Sequence, residues 1–197
     1  NNRKVLFGMA EVAGITDKFM DMTIAIDKLD KIGKDGVIGE MTSRNISEKE
    51  ANKVLELLEC KDLEALKNAF IGFEQGSKGV NEIEAVYKYL EGNIPELTFD
   101  ISLARGLSYY TGCIFEVKVD TSAYPGFSMG SIGGGGRYDN LTGVFGLDGV
   151  SGVGVSFGAE RIYDVMEELK LFPSEVQKDI EVLFVALDDE SHRYAFK

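Results

Sequence analysis

The sequence predicts an α+β fold, with helices in its first half and an antiparallel sheet backed by a helix in its second. Three observations predict it. Up to residue 93, apolar residues recur at helical spacing with charges between them. After Pro95 the pattern changes to alternation, with β-branched residues in places. Finally, the run SGVGVSF passes directly into a stripe of helical spacing.

The first half reads as a series of helices. VLFGMAEVAG is a short apolar segment ending at Gly14, with Asp17 placed to cap the next helix. That helix runs from Asp17 to Ile32 through Phe19, Met22, Ile26 and Leu29, with Gly33 as its stop. Ser47, with Glu50 three residues later, is a capping box, and Val54, Leu57 and Leu58 then share a face. LEALKNAFIGF and VNEIEAVYKYLEG give two more helices, the second stopping at Gly92. Stripes of this kind are core-forming. In the second half ELTFDISLA alternates like a strand. CIFEVKVD puts Cys113, Phe115, Val117 and Val119 on one face and Glu116 and Lys118 on the other. TSAYPGFS is a loop, GSIGGGG a strand or turn, and SGVGVSF a short strand of buried type. AERIYDVMEELKLF is a helix with Ile162, Val165, Met166 and Leu169 in a stripe. DIEVLFVALDD, past Pro173, is one more buried strand, opening a different α/β unit. The expected divisions are 1–93, 94–173 and 174–197.

Composition narrows the function classes. No apolar run approaches the roughly 20 residues of a membrane span, and the first residues show no signal-peptide pattern. Two isolated thiols, Cys60 and Cys113, and one histidine, His192, are too few for a zinc site. They point instead to a reducing compartment, hence to the cytoplasm and to no protein-bound metal. A formal charge of −12 argues against a broad nucleic-acid-binding face. Residues 94–197 carry 8 basic against 16 acidic groups, so the arginines there stand out.

Three stretches hold candidate chemistry. In LARGLSYYTGCIFEV, Arg105 offers a rigid fork of donors suited to carboxylate or phosphate. Strand alternation would put Tyr109 on the same face as Arg105, and Tyr110 on the other unless Gly112 bulges the strand. In GSIGGGGRYDNL, the run Gly133–Gly136 suits a tight turn or backbone lying against a ligand, and Arg137, Tyr138 and Asp139 come directly after it. In GVGVSFGAERI, Arg161 lies near a helix N-terminus, where a cation is mildly unfavourable and calls for a partner, either Glu160 or a bound anion. No serine–histidine pair, metal-ligand cluster or suggestively spaced carboxylate pair accompanies them. Any catalysis here would rest on arginine electrostatics and tyrosine hydrogen bonds.

Taken together, these stretches resemble the histidyl-tRNA synthetase family of class II aminoacyl-tRNA synthetases. LARGLSYYTG resembles its first histidine-specific element and GGGRYDNL its second, while GVGVSFGAERI resembles class II motif 3. NNRKVLFGMAEVAGI and IDKLDKIGKDGV resemble the start of a helical insertion between motifs 2 and 3. The resemblance implies a helical insertion domain, then the second half of the class II antiparallel sheet with its motif 3 helix. It further implies histidine activation by ATP, with Mg2+ accompanying the nucleotide, and transfer to tRNA(His) in a homodimeric parent without membrane attachment. Arg105 matches the catalytic arginine on the α-phosphate. Tyr109, Tyr110 and Tyr138, with Gly135 and Gly136, match the histidine pocket; Arg161 and Gly158, with Arg105, match the ATP site. Ser108 departs from the family's usual aspartate, leaving the support of Arg105 or the tyrosines in question. Asn140 stands where glycine is commoner.

Motifs 1 and 2 of the family, and most of its anticodon-binding domain, have no match here. The chain therefore reads as a fragment that is inactive alone. The alternative is the synthetase-like regulatory subunit of ATP phosphoribosyltransferase, which binds histidine without charging tRNA. A third reading is a synthetase-like module that senses uncharged tRNA within a larger regulatory protein. Arg161 and the DIEVLFVALDD segment favour the ligase over the regulatory subunit.

Overall fold

A computed structural model describes residues 1–60, 62–94, 96–104, 109–174, 185 and 187–195. They fall into two compact units, Asn1–Phe157 and Gly158–Lys197.

In the first unit the chain enters helix α1, Arg3–Ala13, where the Asn2 side chain accepts from the Lys4 N–H and Gly14 closes the end with φ 80°. Val5, Leu6, Met9 and Ala10 on its inner side are fully buried, each larger side chain contributing about 2 kcal/mol. Asp17 does not cap the next helix. It sits in a 3-10 turn, Thr16–Lys18, and helix α2, Phe19–Ile26, begins without a side-chain cap. The expected single helix to Ile32 is broken by a bend at Asp27 and Lys28, after which α3 spans Leu29–Ser43. Gly33 does interrupt it, with φ 67° and ψ 179°, a conformation natural to glycine. The helix nevertheless resumes, because Val37 and Met41 beyond the kink are fully buried.

Helix α4, Glu48–Leu58, opens on the expected capping box. The Ser47 side chain accepts from the Glu50 N–H, and the Glu50 carboxylate takes the Ser47 N–H at 2.8 Å. Those bonds hold the Glu50 carboxyl below its usual value. Ser47→Ala should destabilise the fold by about 1 kcal/mol in urea titration, and no change would remove the cap from the stability account. Helix α5, Leu63–Ala69, is capped by Asp62, and α6 runs over Glu74–Leu90. Glu91 and Gly92, both at positive φ, end it. Helices α1 and α6 pack at close range: a Cβ on Gly8 would lie 2.4 Å from the Gly76 Cα.

Residues 96–104 do not form the expected strand. Ile101 and Ala104 are buried, and the Ile101 and Leu103 carbonyls accept from the Asn1 side-chain amide, both at 2.9 Å. One side chain thus takes the hydrogen bonds a neighbouring strand would have made. The sheet has three antiparallel strands in the order β1–β2–β3: Ile114–Val117, Gly133–Tyr138 and Gly152–Phe157. The outer edge of β1 meets the chain's first residues, with the Arg3 N–H on the Gly112 carbonyl at 2.9 Å and the Ile114 N–H on the Asn1 carbonyl at 2.8 Å. The expected two-faced pattern of β1 is blurred. Ile114 is 1% exposed, whereas Val117 is 43% exposed. Strand β3 is not of buried type either: Val153, Val155 and Phe157 are largely exposed, on a strand paired only with β2 among the described residues.

In the second unit, helix α7, Ala159–Glu168, buries Val165, with Ile162, Met166 and Leu169 partly covered, as the stripe predicts. Helix α8, Asp189–Ala195, comes next. Most of DIEVLFVALDD lies outside the described residues. Among the described residues no helix is long and apolar enough to cross a membrane.

Candidate functional site

The site is built on the run of glycines. In β2, Gly136 pairs with Gly154 of β3, and Tyr138 pairs with Gly152. These four residues share one face of the sheet, because cross-strand partners point the same way and side chains alternate along a strand. Two aromatic rings occupy the space left by the missing side chains. A Cβ on Gly136 would lie 2.8 Å from Cδ1 of Tyr110, and a Cβ on Gly152 would lie 2.3 Å from Cε2 of Tyr138. Tyr110 and Tyr138 therefore rest on a glycine floor on one side of the sheet. Gly135 faces the opposite side, where a Cβ would lie 2.0 Å from the Gly154 carbonyl oxygen. Its role is to let β2 and β3 approach.

Tyr109 and Tyr110 do not point to opposite faces as strand alternation would require. The chain turns at Tyr109, and the two rings sit 4.6 Å apart between centroids, tilted by 56°. Tyr110 is 9% exposed and Tyr109 39% exposed. The first is a wall of the fold, and the second remains open to solvent.

The segment carrying these tyrosines is stitched to β2. The Thr111 N–H donates to the Arg137 carbonyl at 2.9 Å, and the Arg137 N–H donates to the Cys113 carbonyl at 2.8 Å. The Thr111 hydroxyl donates to Oδ2 of Asp139 at 2.7 Å, while Nε of Arg137 donates to Oδ1 at 2.9 Å. The Thr111 bond, with help from the Arg137 guanidinium and against partial burial, holds the Asp139 carboxyl below its ordinary value. A depressed carboxyl stabilises the fold above its unfolded pKa and loses that contribution as pH falls through the folded one. The stitch thus survives at neutral pH and weakens only in acid. The Thr111 contact joins residues 28 apart in sequence and has no local signature.

Arg105 lies outside the described residues. Gly158 and Arg161 belong to the second unit, where Gly158 precedes α7 and its carbonyl accepts from the Ile162 N–H at 2.9 Å. Arg161 is exposed in the first turn of α7. A cavity of about 620 Å3 lies elsewhere, between α6, residues 94–103 and the outer edge of β1; none of Tyr109, Tyr110 and Tyr138 lines it. The glycine floor, rather than this cavity, brings together Tyr110, Tyr138 and Gly136 of the residues singled out by sequence. Among the described residues no group of three or more His, Cys, Asp or Glu side chains is arranged to hold a metal ion.

Comparison with known proteins identifies the family. The family model described as histidyl-tRNA synthetase matches residues 33–162. A histidine–tRNA ligase of Christiangramia forsetii is 48% identical over 205 residues, covering 100% of this chain and 44% of the relative. One of Phocaeicola vulgatus is also 48% identical, covering 98% and 43%. The crystal structure of histidyl-tRNA synthetase from Nostoc matches with a TM-score of 0.74 and 29% identity, over 88% of this chain and 42% of that one. The chain thus spans less than half the length of these relatives. With a family model matching well over half its length, the chain belongs to the histidyl-tRNA synthetase family.

Proposed function

We propose that this chain is part of a histidine–tRNA ligase. In the full-length protein, a carboxylate oxygen of histidine attacks the α-phosphorus of ATP, pyrophosphate leaves, and histidyl-adenylate forms. A ribose hydroxyl of tRNA(His) then takes the histidyl group and AMP leaves. Mg2+ arrives with ATP as its counter-ion. The protein works as a homodimer in the cytoplasm. Residues 1–93 form the helical insertion, 94–173 the second half of the catalytic domain, and 174–197 the start of the anticodon-binding domain.

Arg105 is the catalytic group, its guanidinium set against the α-phosphate to stabilise charge developing there. Tyr109, Tyr110 and Tyr138 form the histidine pocket, where hydroxyls read the imidazole nitrogens and the amino group. Gly136 keeps the backbone beneath free of a side chain, and Gly135, on the other face, lets β2 and β3 close up behind it. Gly158 and Arg161 serve ATP, the arginine stacking on adenine. The 197-residue chain, which spans 44% of the length of one such relative, is inactive alone.

The observation that supports this reading most is the placing of Tyr110 and Tyr138 on one side-chain-free face, held by the Thr111–Asp139 bond. Histidine-dependent exchange of labelled pyrophosphate into ATP by the full-length protein is the test. Tyr138→Phe should raise KM for histidine roughly tenfold, the effect of one hydrogen bond to a polar ligand, with a smaller change for ATP. Equal effects on both substrates would take Tyr138 out of the pocket. No exchange by the wild-type protein would sink the ligase reading.

A further inference from the structure

The turn Thr111–Cys113, directly after the tyrosine pair, is held from two sides. On one side β2 holds it, through Arg137 and Asp139. The other side is met by the helices. The Arg3 N–H bonds the Gly112 carbonyl, and Nδ2 of Asn2 reaches Sγ of Cys113 at 3.4 Å. The same Nδ2 donates to Oε2 of Glu82 on α6 at 2.7 Å, and Oε1 of Glu82 pairs with the Lys4 ammonium. The Lys4 and Glu82 side chains are only 17% and 29% exposed, so solvent screens this pair less than it would a surface pair.

Two ion pairs thus flank the turn. Lys4 and Glu82 pair on the helical side, and Arg137 grips Asp139, which grips the Thr111 hydroxyl, on the sheet side. Gly112 lies between them: a Cβ built on it would lie 3.4 Å from Oε2 of Glu82 and 3.0 Å from Cδ of Arg137. The direct tie from Glu82 to the turn is Asn2, whose amide bonds the carboxylate and reaches Cys113, and a bond to an ionised acceptor is stronger than one to a neutral acceptor.

We propose that Glu82 is a positioning residue for the amino-acid pocket. Through Asn2 it fixes the Gly112–Cys113 backbone, and with it Thr111 and the chain that presents Tyr109 and Tyr110. The helical segment thus contributes to the choice of amino acid without touching it. This inference rests on the ligase reading, which assigns the tyrosines to histidine.

Two measurements on the full-length protein test it. The first is pyrophosphate exchange by Glu82→Gln, which keeps the side chain's size and an acceptor for Asn2 but removes the charge. KM for histidine should rise about fivefold, within the range of couplings measured inside one network, with KM for ATP close to wild type. Adding Thr111→Val to Glu82→Gln should raise KM little further, whereas additive effects would overturn the proposal. So would a wild-type KM for histidine, or a fall in Tm with both KM values moving together.

The second measurement needs no activity. Hydrogen exchange at the Thr111 amide, which is bonded to Arg137, should quicken in Glu82→Gln. Unchanged exchange would refute the positioning role. If the wild-type protein showed no histidine-dependent exchange while this amide responded, the ligase reading would fall and the mechanical link would stand.

Discussion

Arg105→Ala in the full-length protein is expected to slow histidine-dependent pyrophosphate exchange by roughly 100- to 1,000-fold, the loss that accompanies removal of a preorganised donor at a developing charge. Tm should stay within about 2 °C of wild type, since on the proposed reading this side chain serves the substrate and not the core. Arg105→Lys should recover little. An ammonium is a point charge on a flexible stem and cannot reproduce two parallel bonds from a planar fork. Because the deficit belongs to the transition state, kcat and kcat/KM should fall together. Exchange kinetics unchanged in the alanine variant would remove Arg105 from catalysis and leave the family's chemistry to be assigned elsewhere.

The second large effect is structural. Gly135→Ala is expected to cost about 3 kcal/mol, at the upper end for overpacking. The new methyl would sit 2.0 Å from the Gly154 carbonyl oxygen and 2.8 Å from the Val155 Cα, and both are backbone atoms that cannot rotate away. Strands β2 and β3 would have to part, taking the Gly136–Gly154 pairing and the Tyr138 ring with them. The control is Gly39→Ala on the exposed side of α3, where nothing lies within 4 Å of the added carbon. That change should stabilise by about 0.5–1 kcal/mol, since alanine loses less chain freedom than glycine in a helix. Urea midpoints of both variants measure the contrast. A Gly135→Ala midpoint close to wild type would mean that the two strands have room between them for a methyl group.

Features set by neighbouring residues were legible in the sequence. The Ser47–Glu50 box, the break at Gly33 and the Val165 stripe all rest on contacts within a turn or two of helix. Features set across the chain were not. Leu97, Phe99, Ile101 and Leu103 alternate as a strand should, yet the Asn1 side chain satisfies the Ile101 and Leu103 carbonyls. Tyr109 and Tyr110 read as opposite-facing neighbours because alternation assumes extended backbone, and the chain turns there. The apolar residues of β3 suggested burial, but a hydrophobic pattern states what a strand could cover and not what covers it. Of the candidate site, Tyr110, Tyr138 and Gly136 were named from the sequence and come together. Thr111 and Glu82 were missed, since each acts through a partner far along the chain. The Arg105 expectation falls outside the described residues.

A sheet face of bare backbone has no side chain beneath the two rings to exchange. Shape and polarity there can change only at the rim, through the phenol rings and whatever holds them, because even one methyl added beneath would collide with an aromatic face. Change is therefore barred from below, and variation between relatives must be sought in the rim and its supports.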